Sequence, residues 1–353
     1  MSTLSEAYED LPLDLQHIKP VDFASLQAVP DSHVWHDSSF GACSDEHENS
    51  LVPVIDLEDS NATELIGQAC ETLGVFQLKN HGIPLSLIEE VESEAARFFA
   101  LSARQKLKAL RSPGGATGYG IARITPFFSK YMWHEGFTIM GSPVDHVKQL
   151  WPHDNERFCD VMEDYQKKMK VLAERLTRLI FKSLNISDEE ISWLSSTSND
   201  SGSTSSVSAA LQLNSYPPCP EPNQTMGLAP HTDTFLLTIL HQTQTNGLQI
   251  FKDGVGWLPV PPVEGALVVN MGDLFHILTN ARFTNVLHRV VVSGTQQRLS
   301  TAYFYGPPID FILSPFSKVL NSAQAPHYRS VAVKEYVAIK AQNLEKALSF
   351  IRA

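Results

Sequence analysis

"GLAPHTDTFLLTILHQ", residues 227–242, sets a histidine and an aspartate one residue apart, just ahead of a run of apolar, β-prone residues. In a strand, residues i and i+2 point to the same side. His231 and Asp233 are therefore expected to face one way and Thr232 the other, with "FLLTIL" continuing the same strand as the wall of a barrel. Alone, such a triplet is a weak signal, and two polar residues at the start of a strand are the plain alternative. The chain has 13 histidines but only this H-x-D, so no second candidate competes.

The flanking sequence supports a barrel. From residue 209 the runs "ALQLNSY", "FLLTILHQ", "LQIFK", "WLPVPP", "ALVVNMG", "LFHIL", "VLHRVVVS" and "LSTAYFYG" follow one another between turn signals. Asn246-Gly247 and Asp253-Gly254 predict hairpins. Short strands at this spacing suggest a jelly-roll sandwich or barrel.

Two of these runs carry chemistry. His288 sits in "NVLHRVVVS", an apolar setting where a lone imidazole needs a partner; a hydrogen-bonded core histidine is the alternative. Two histidines and one carboxylate on one face of a metal leave three positions open, the arrangement of non-haem Fe(II) oxygenases. In "QRLSTAYF", Arg298 and Ser300 stand at i and i+2. An inward guanidinium is unfavourable unless an anion meets it, and its fork matches a carboxylate. A structural salt bridge is the plainer reading of Arg298 alone. "QLNSYPPC" offers Tyr216 as a further donor.

The N-terminal half reads differently. Residues 1–50 are polar and weakly periodic, an extended arm. "VPVIDL" (52–57) and "GVFQLKN" (74–80) read as strands around a helix that presents Leu65, Ile66, Ala69 and Leu73 on one face, with Asn61 and Glu64 as a capping box. Pro84 opens a second helix carrying Leu87, Ile88, Val91, Ala95 and Phe98. The aromatic, Gly-rich stretch 112–137 should be loop and strand. A long helix follows from about Asp154 to Leu184, then a shorter one capped by Ser187 and Glu190. The Ser-rich stretch 195–208 reads as a surface loop. "VKEYVAIKAQNLEKALSFI" returns to helical periodicity near the C-terminus.

Composition bounds the partners. The 353 residues carry a net charge of −12, which argues against affinity for nucleic acid or anionic membranes. No apolar run is long enough to span a bilayer, and the acidic start lacks the features of a signal peptide. The expectation is a cytoplasmic protein, also entering the nucleus by diffusion. Cys43, Cys70, Cys159 and Cys219 fit no C-x-x-C spacing and read as reduced thiols, which removes zinc-finger and thiol-redox readings.

Taken together, H-x-D, a distant His and R-x-S resemble the pattern of the Fe(II)- and 2-oxoglutarate-dependent dioxygenases over residues 209–305, with Asn214-Ser215-Tyr216 standing for their N-x-Y. "VPVIDL" and "GVFQLKNHGIP" are similar to the opening region of the plant branch of that family. The resemblance implies an α+β protein with a double-stranded β-helix (jelly-roll, cupin-like) core, a helix-rich N-terminal region and a C-terminal helix. The corresponding boundaries are an arm at 1–50, a helix-rich region at 51–205, the core at 206–315 and a helical extension at 316–353.

It also implies Fe(II) held by His231, Asp233 and His288, and 2-oxoglutarate held through its far carboxylate by Arg298 and Ser300 with Tyr216. O2 is the second cosubstrate, and ascorbate keeps the iron active. "GYGIARITPFFSKYMWHEGFTIMGSP" (118–143) with "QLWP" (149–152) resembles the gibberellin 3-oxidases, and the L-P-W-K-E-T stretch of the related 20-oxidases is missing. That implies a C19 gibberellin, a diterpenoid acid, hydroxylated at the 3β position. Arg123 and Lys130 are candidates to meet its carboxylate, each with a solvated loop charge as the alternative. Tyr119, Trp133 and Phe304 are candidates for apolar wall, with ordinary core as theirs. The other readings are another gibberellin position, another terpenoid or a flavonoid, an inactive cupin-like binder of a small acid, and a zinc hydrolase. A monomer is expected, since no exposed apolar stripe is left over.

Overall fold

Val54–Asp56 (β1) and Val75–Lys79 (β2) run parallel and are joined by a helix, α1, over Ala62–Thr72. The computed structural model describes residues 13–35, 51–192, 207–320 and 325–353. Cys43 and nearly all of the Ser-rich stretch lie outside the described residues. Helix α1 buries Ile66, Ala69 and Cys70. Its expected capping box does not form: Asn61 makes no side-chain cap bond, and its own amide donates to Asp59 Oδ1. Leu85–Phe99 (α2) buries the expected stripe from Leu87 to Phe98, and Glu156–Ser183 (α3) buries a second that runs from Phe158 through Met162, Tyr165, Met169 and Leu172 to Leu176. Such amphipathic faces are stable only when packed, and both α1 and α2 lie against α3. Ser187 and Glu190 do bond to each other, in a turn.

The remaining strands of the two main sheets are Gly118–Gly120 (β3), Glu135–Ile139 (β4), Ser208–Tyr216 (β5), Leu228–His231 (β6), Leu237–Gln242 (β7), Leu248–Lys252 (β8), Gly256–Pro259 (β9), Leu267–Met271 (β10), His288–Val290 (β11) and Arg298–Gly306 (β12). They form an eight-stranded sheet, β1-β2-β10-β7-β12-β5-β4-β3, facing a four-stranded sheet, β6-β11-β8-β9. This is the double-stranded β-helix. Strands of the N-terminal half extend the large sheet at both edges, β2 along β10 and β4 along β5.

Three local expectations are corrected, and one strand had no signal in the sequence. "LFHIL" is helix, α4 (Asp273–Leu278), rather than strand. Leu274, Phe275, Ile277 and Leu278 are all buried, so no helical period shows in the sequence. "LAPH" is a strand that Pro230 conceals; β6 is the edge of its sheet, where a missing N–H is tolerated. Asn246-Gly247 closes no hairpin, because β7 and β8 belong to different sheets and the chain crosses between them there. Asp253-Gly254 does join β8 to β9. Last, "FLLTIL" does not continue the strand of His231: β6 ends at that residue, and residues 232–236 cross to β7 in the other sheet.

Residues 13–35 lie along the segment 113–131, with Ile121 N donating to Ile18 O at 2.8 Å and Tyr131 N to Ser32 O at 2.8 Å. A last helix, α5 (Val333–Asn343), covers the C-terminal side. No helix among the described residues is long and apolar enough to cross a membrane. Cys70, Cys159 and Cys219 are free and buried.

Candidate metal centre and carboxylate clamp

His231, the last residue of β6, is the cross-strand partner of His288 on β11, and the imidazole centroids are 4.3 Å apart. Asp233 follows in the crossing turn. Its Oδ1 lies 3.7 Å from His231 Nε2 and 3.9 Å from His288 Nε2, and one ligand atom from each residue falls within 4.8 Å of the others. Each other polar atom is engaged elsewhere. His231 Nδ1 donates to Ala229 O at 2.8 Å and His288 Nδ1 to Val286 O at 3.2 Å. The Thr238 hydroxyl donates to Asp233 Oδ2 at 2.6 Å. Bonds of this kind set the tautomer and orientation of metal ligands. Burial, reinforced by His288, lowers His231 to about 3, so its imidazole is neutral and able to ligate. Burial alone would raise Asp233; His288, His231 and the Thr238 hydroxyl outweigh it and hold the carboxyl below its ordinary value. Two imidazole nitrogens and one carboxylate oxygen converging on one side fit a divalent first-row metal.

On β12 and β5, Arg298 pairs with Tyr216 and Ser300 with Asn214. Arg298 is 2% exposed, and its Nη2 donates to Gln242 Oε1 at 2.8 Å. Its Nε and Nη1 have no partner. Two unpaired donors on a buried guanidinium are strongly unfavourable unless an anion completes them, which is the chemistry of a carboxylate clamp. Burial pushes the Tyr216 phenol up to about 12 against the pull of Arg298, so the phenol is neutral and able to donate. Asn214 accepts from His134 Nε2 at 3.0 Å and donates to Ser300 Oγ at 3.4 Å. Gly247 leaves room for this arrangement: a Cβ there would stand 2.7 Å from Val291 O and 3.0 Å from Arg298 Cδ.

Triad and clamp line one cavity of about 440 Å³, within the roughly 300–1,000 Å³ common for small-molecule sites. Its far wall is largely apolar: Leu13 from the arm, Ile124, Phe127, Met140, and Leu344 beyond α5. Of the five residues expected to meet substrate, the structure brings Arg123 and Phe304 to this cavity and leaves three away from it. Tyr119 is buried with its hydroxyl on Glu135, which also pairs with Lys106 at 2.6 Å. Lys130 is turned to the arm, donating to Asp31 O at 2.7 Å. Trp133 packs on Phe23 and donates to Pro217 O at 3.1 Å. The arm takes up Lys130 and Trp133, whereas Tyr119 is held by Glu135 and packs on Phe98. Arg111, His134 and Lys340 line the cavity and were not singled out from the sequence. Only Lys340 left a signal, a lysine between Tyr336 and Leu344 on the i, i+4 spacing of an otherwise apolar face.

Residues 207–307 match the family model of the 2OG-Fe(II) oxygenase superfamily, and residues 52–155 match the model described as the non-haem dioxygenase in morphine synthesis N-terminal. The chain is 50% identical to gibberellin 3-beta-dioxygenase 1 of Pisum sativum, over 100% of this chain and 94% of that relative. It is 47% identical to gibberellin 3-beta-dioxygenase 1 of Arabidopsis thaliana, over 99% and 98%. Among solved structures it is similar to JOX2 in complex with 2OG, Fe and JA, at 27% identity and a TM-score of 0.75 over 88% of this chain and 89% of that one. The rice dioxygenase for auxin oxidation, at 22% identity and a TM-score of 0.69 over 86% and 100%, shares the fold.

Proposed function

The chain belongs to the Fe(II)- and 2-oxoglutarate-dependent dioxygenases, in the group of the gibberellin 3-beta-dioxygenases, and from that premise we propose that it hydroxylates C19 gibberellins at the 3β position. Fe(II), O2 and 2-oxoglutarate are its reactants in common with the family; ascorbate maintains the metal. In this reading His231, Asp233 and His288 hold Fe(II). The bound metal supplies the reduction of dioxygen, coupled to decarboxylation of 2-oxoglutarate and oxidation of a C–H bond. The chain's own residues do the rest. Arg298 presents Nε and Nη1 to the far carboxylate of 2-oxoglutarate, and Ser300 and Tyr216 add hydroxyl donors. Thr238 keeps Asp233 Oδ2 occupied so that Oδ1 faces the metal. Phe304, Ile124, Phe127 and Met140 exclude water from the C–H under attack. Arg123, with Arg111, gives a diterpenoid carboxylate a cationic neighbour at the wall.

The observation that carries this reading is the pairing of a His-Asp-His cluster with an incompletely paired, buried Arg298 in one cavity. A zinc hydrolase would leave Arg298 and Ser300 without a purpose, and an inactive cupin-like binder has no need of both sets. The reading keeps the expectation, drawn from the sequence, of a monomer in the cytosol. The test is incubation with Fe(II), ascorbate, 2-oxoglutarate and a panel of gibberellins and flavonoids. Turnover restricted to C19 gibberellins, giving 3β-hydroxylated products, is expected. Turnover of flavonoids alone would overturn the substrate assignment, and the absence of succinate release with every substrate of the panel would overturn the enzymatic one.

A further inference from the structure

The aspartate of the H-x-D lies off the strand, and this leaves its position to be set by something other than the β-ladder. Strand β6 stops at His231, so no ladder bonds fix Thr232 or Asp233. On one side the crossing turn is held by α4. Asp273 N donates to Asp233 O at 2.8 Å, Gly272 N to Leu236 O at 2.8 Å, and Leu274 N to Thr234 O at 3.2 Å. On the other side stands Lys340 of α5, with a side chain 8% exposed. Its Nζ donates to Thr232 Oγ1 at 2.6 Å and to Asp273 Oδ2 at 2.6 Å. The Asp273 carboxylate is completed by Tyr336 Oη at 2.7 Å and Asn285 Nδ2 at 2.7 Å.

We propose that Lys340 is a positioning residue for the metal-binding turn. It ties the C-terminal helix to Thr232, the residue between the two ligands, and through Asp273 to the backbone of Asp233. The ion pair with Asp273 balances the buried charge of the lysine and leaves its ammonium two further N–H donors to place. The bond to Thr232 is additional and is the one that reaches the ligands. The same stretch builds the chamber wall: Lys340, Ala341 and Leu344 line the cavity, and Leu344 holds a left-handed φ of 44°, a conformation unfavourable for leucine. The helix that borders the substrate therefore also sets the place of the aspartate ligand, and seating of one is linked to seating of the other.

The proposal rests on the assignment of His231, Asp233 and His288 as ligands, and its test separates the two. Full-length protein is titrated with Co(II), whose visible absorption reports the ligand set without turnover. The wild type should bind and His288→Ala should not. Lys340→Met should weaken Co(II) binding about 10- to 100-fold, the range for loss of a partner that orients a metal ligand. Lys340→Met leaves Asp273 buried and unpaired, so the double variant Lys340→Met/Asp273→Asn is measured beside it. It should regain thermal stability but not Co(II) affinity. Thr232→Val, which keeps shape and the ion pair, should weaken Co(II) with a thermal midpoint near wild type, and Lys340→Arg should restore part of the affinity. A double variant that binds Co(II) as tightly as wild type would make Lys340 a structural anchor only and overturn the proposal. A wild type that takes up no Co(II) would remove the ligand assignment and this proposal with it.

Discussion

Arg298 has a three-sided guanidinium in a site that satisfies one side, the Nη2 bond to Gln242. A lysine at that position keeps a charge but loses the fork, so Arg298→Lys should forfeit one charge-assisted bond, about 1.5–3 kcal/mol. The expected outcome is an apparent KM for 2-oxoglutarate raised roughly 10- to 100-fold with a smaller change in kcat, read by steady-state kinetics at varied 2-oxoglutarate. An unchanged KM would place the cosubstrate elsewhere. Protonation gives a second prediction. Burial lowers His33 from about 6.5 to about 4, so the folded chain resists a proton that the unfolded chain accepts. A lowered folded pKa contributes stability that is present above the unfolded value and is lost as pH falls toward the folded one. His33 sits among Phe23, Tyr131 and Trp133, a setting that admits a phenyl ring. His33→Phe should therefore flatten the fall in stability between pH 6.5 and 4, by up to about 1.4 kcal/mol per pH unit; chemical denaturation across that range measures it. At this scale much of the site is legible in the chain. Residue type within β-prone runs pointed to Tyr216 and both histidines, and i, i+2 spacing to Arg298 with Ser300; all five line one cavity. Lys130 and Trp133 were misplaced because loop residues carry no period from which their direction follows, and Tyr119 because its strand, Gly118–Gly120, is too short to show one.

Elements explain why the H-x-D does not behave as two strand residues. The turn 232–236 is the crossing between two sheets, and α4 docks on it so closely that a Cβ at Gly272 would lie 2.1 Å from Phe235 O and 2.9 Å from Asp233 O. Gly272→Ala should thus displace backbone rather than a side chain, costing about 2 kcal/mol or more and weakening divalent-metal binding in parallel. Urea midpoints and a metal titration on the same samples test this; a stable variant with normal metal binding would show that the turn does not depend on α4. Strand order was readable where turn chemistry and apolar runs agree, as at Asp253-Gly254. It was unreadable at "LFHIL", where burial on all sides erases the period, and at "LAPH", where proline marks an edge rather than a break.

The whole molecule joins pieces that the sequence separates. The strands of residues 54–79 and 118–139 belong to the same sheet as the jelly roll, so the N-terminal half does not merely wrap an independent core. One cavity is closed by Leu13 near one end of the chain and Leu344 near the other, a convergence of distant segments that no local pattern encodes. The fold class followed from counting strands and from motif order, whereas the chamber, which decides the substrate, required the tertiary arrangement. Fold and chamber together make a dioxygenase that presents the 3β C–H bond of a C19 gibberellin to the metal site. The most direct measurement is turnover under 18O2 with Fe(II), 2-oxoglutarate and a C19 gibberellin. One labelled oxygen should appear in succinate and one in a new 3β-hydroxyl, in equal amounts, and neither with Asp233→Ala. A hydroxyl derived from water, or oxidation at another carbon, would contradict the account.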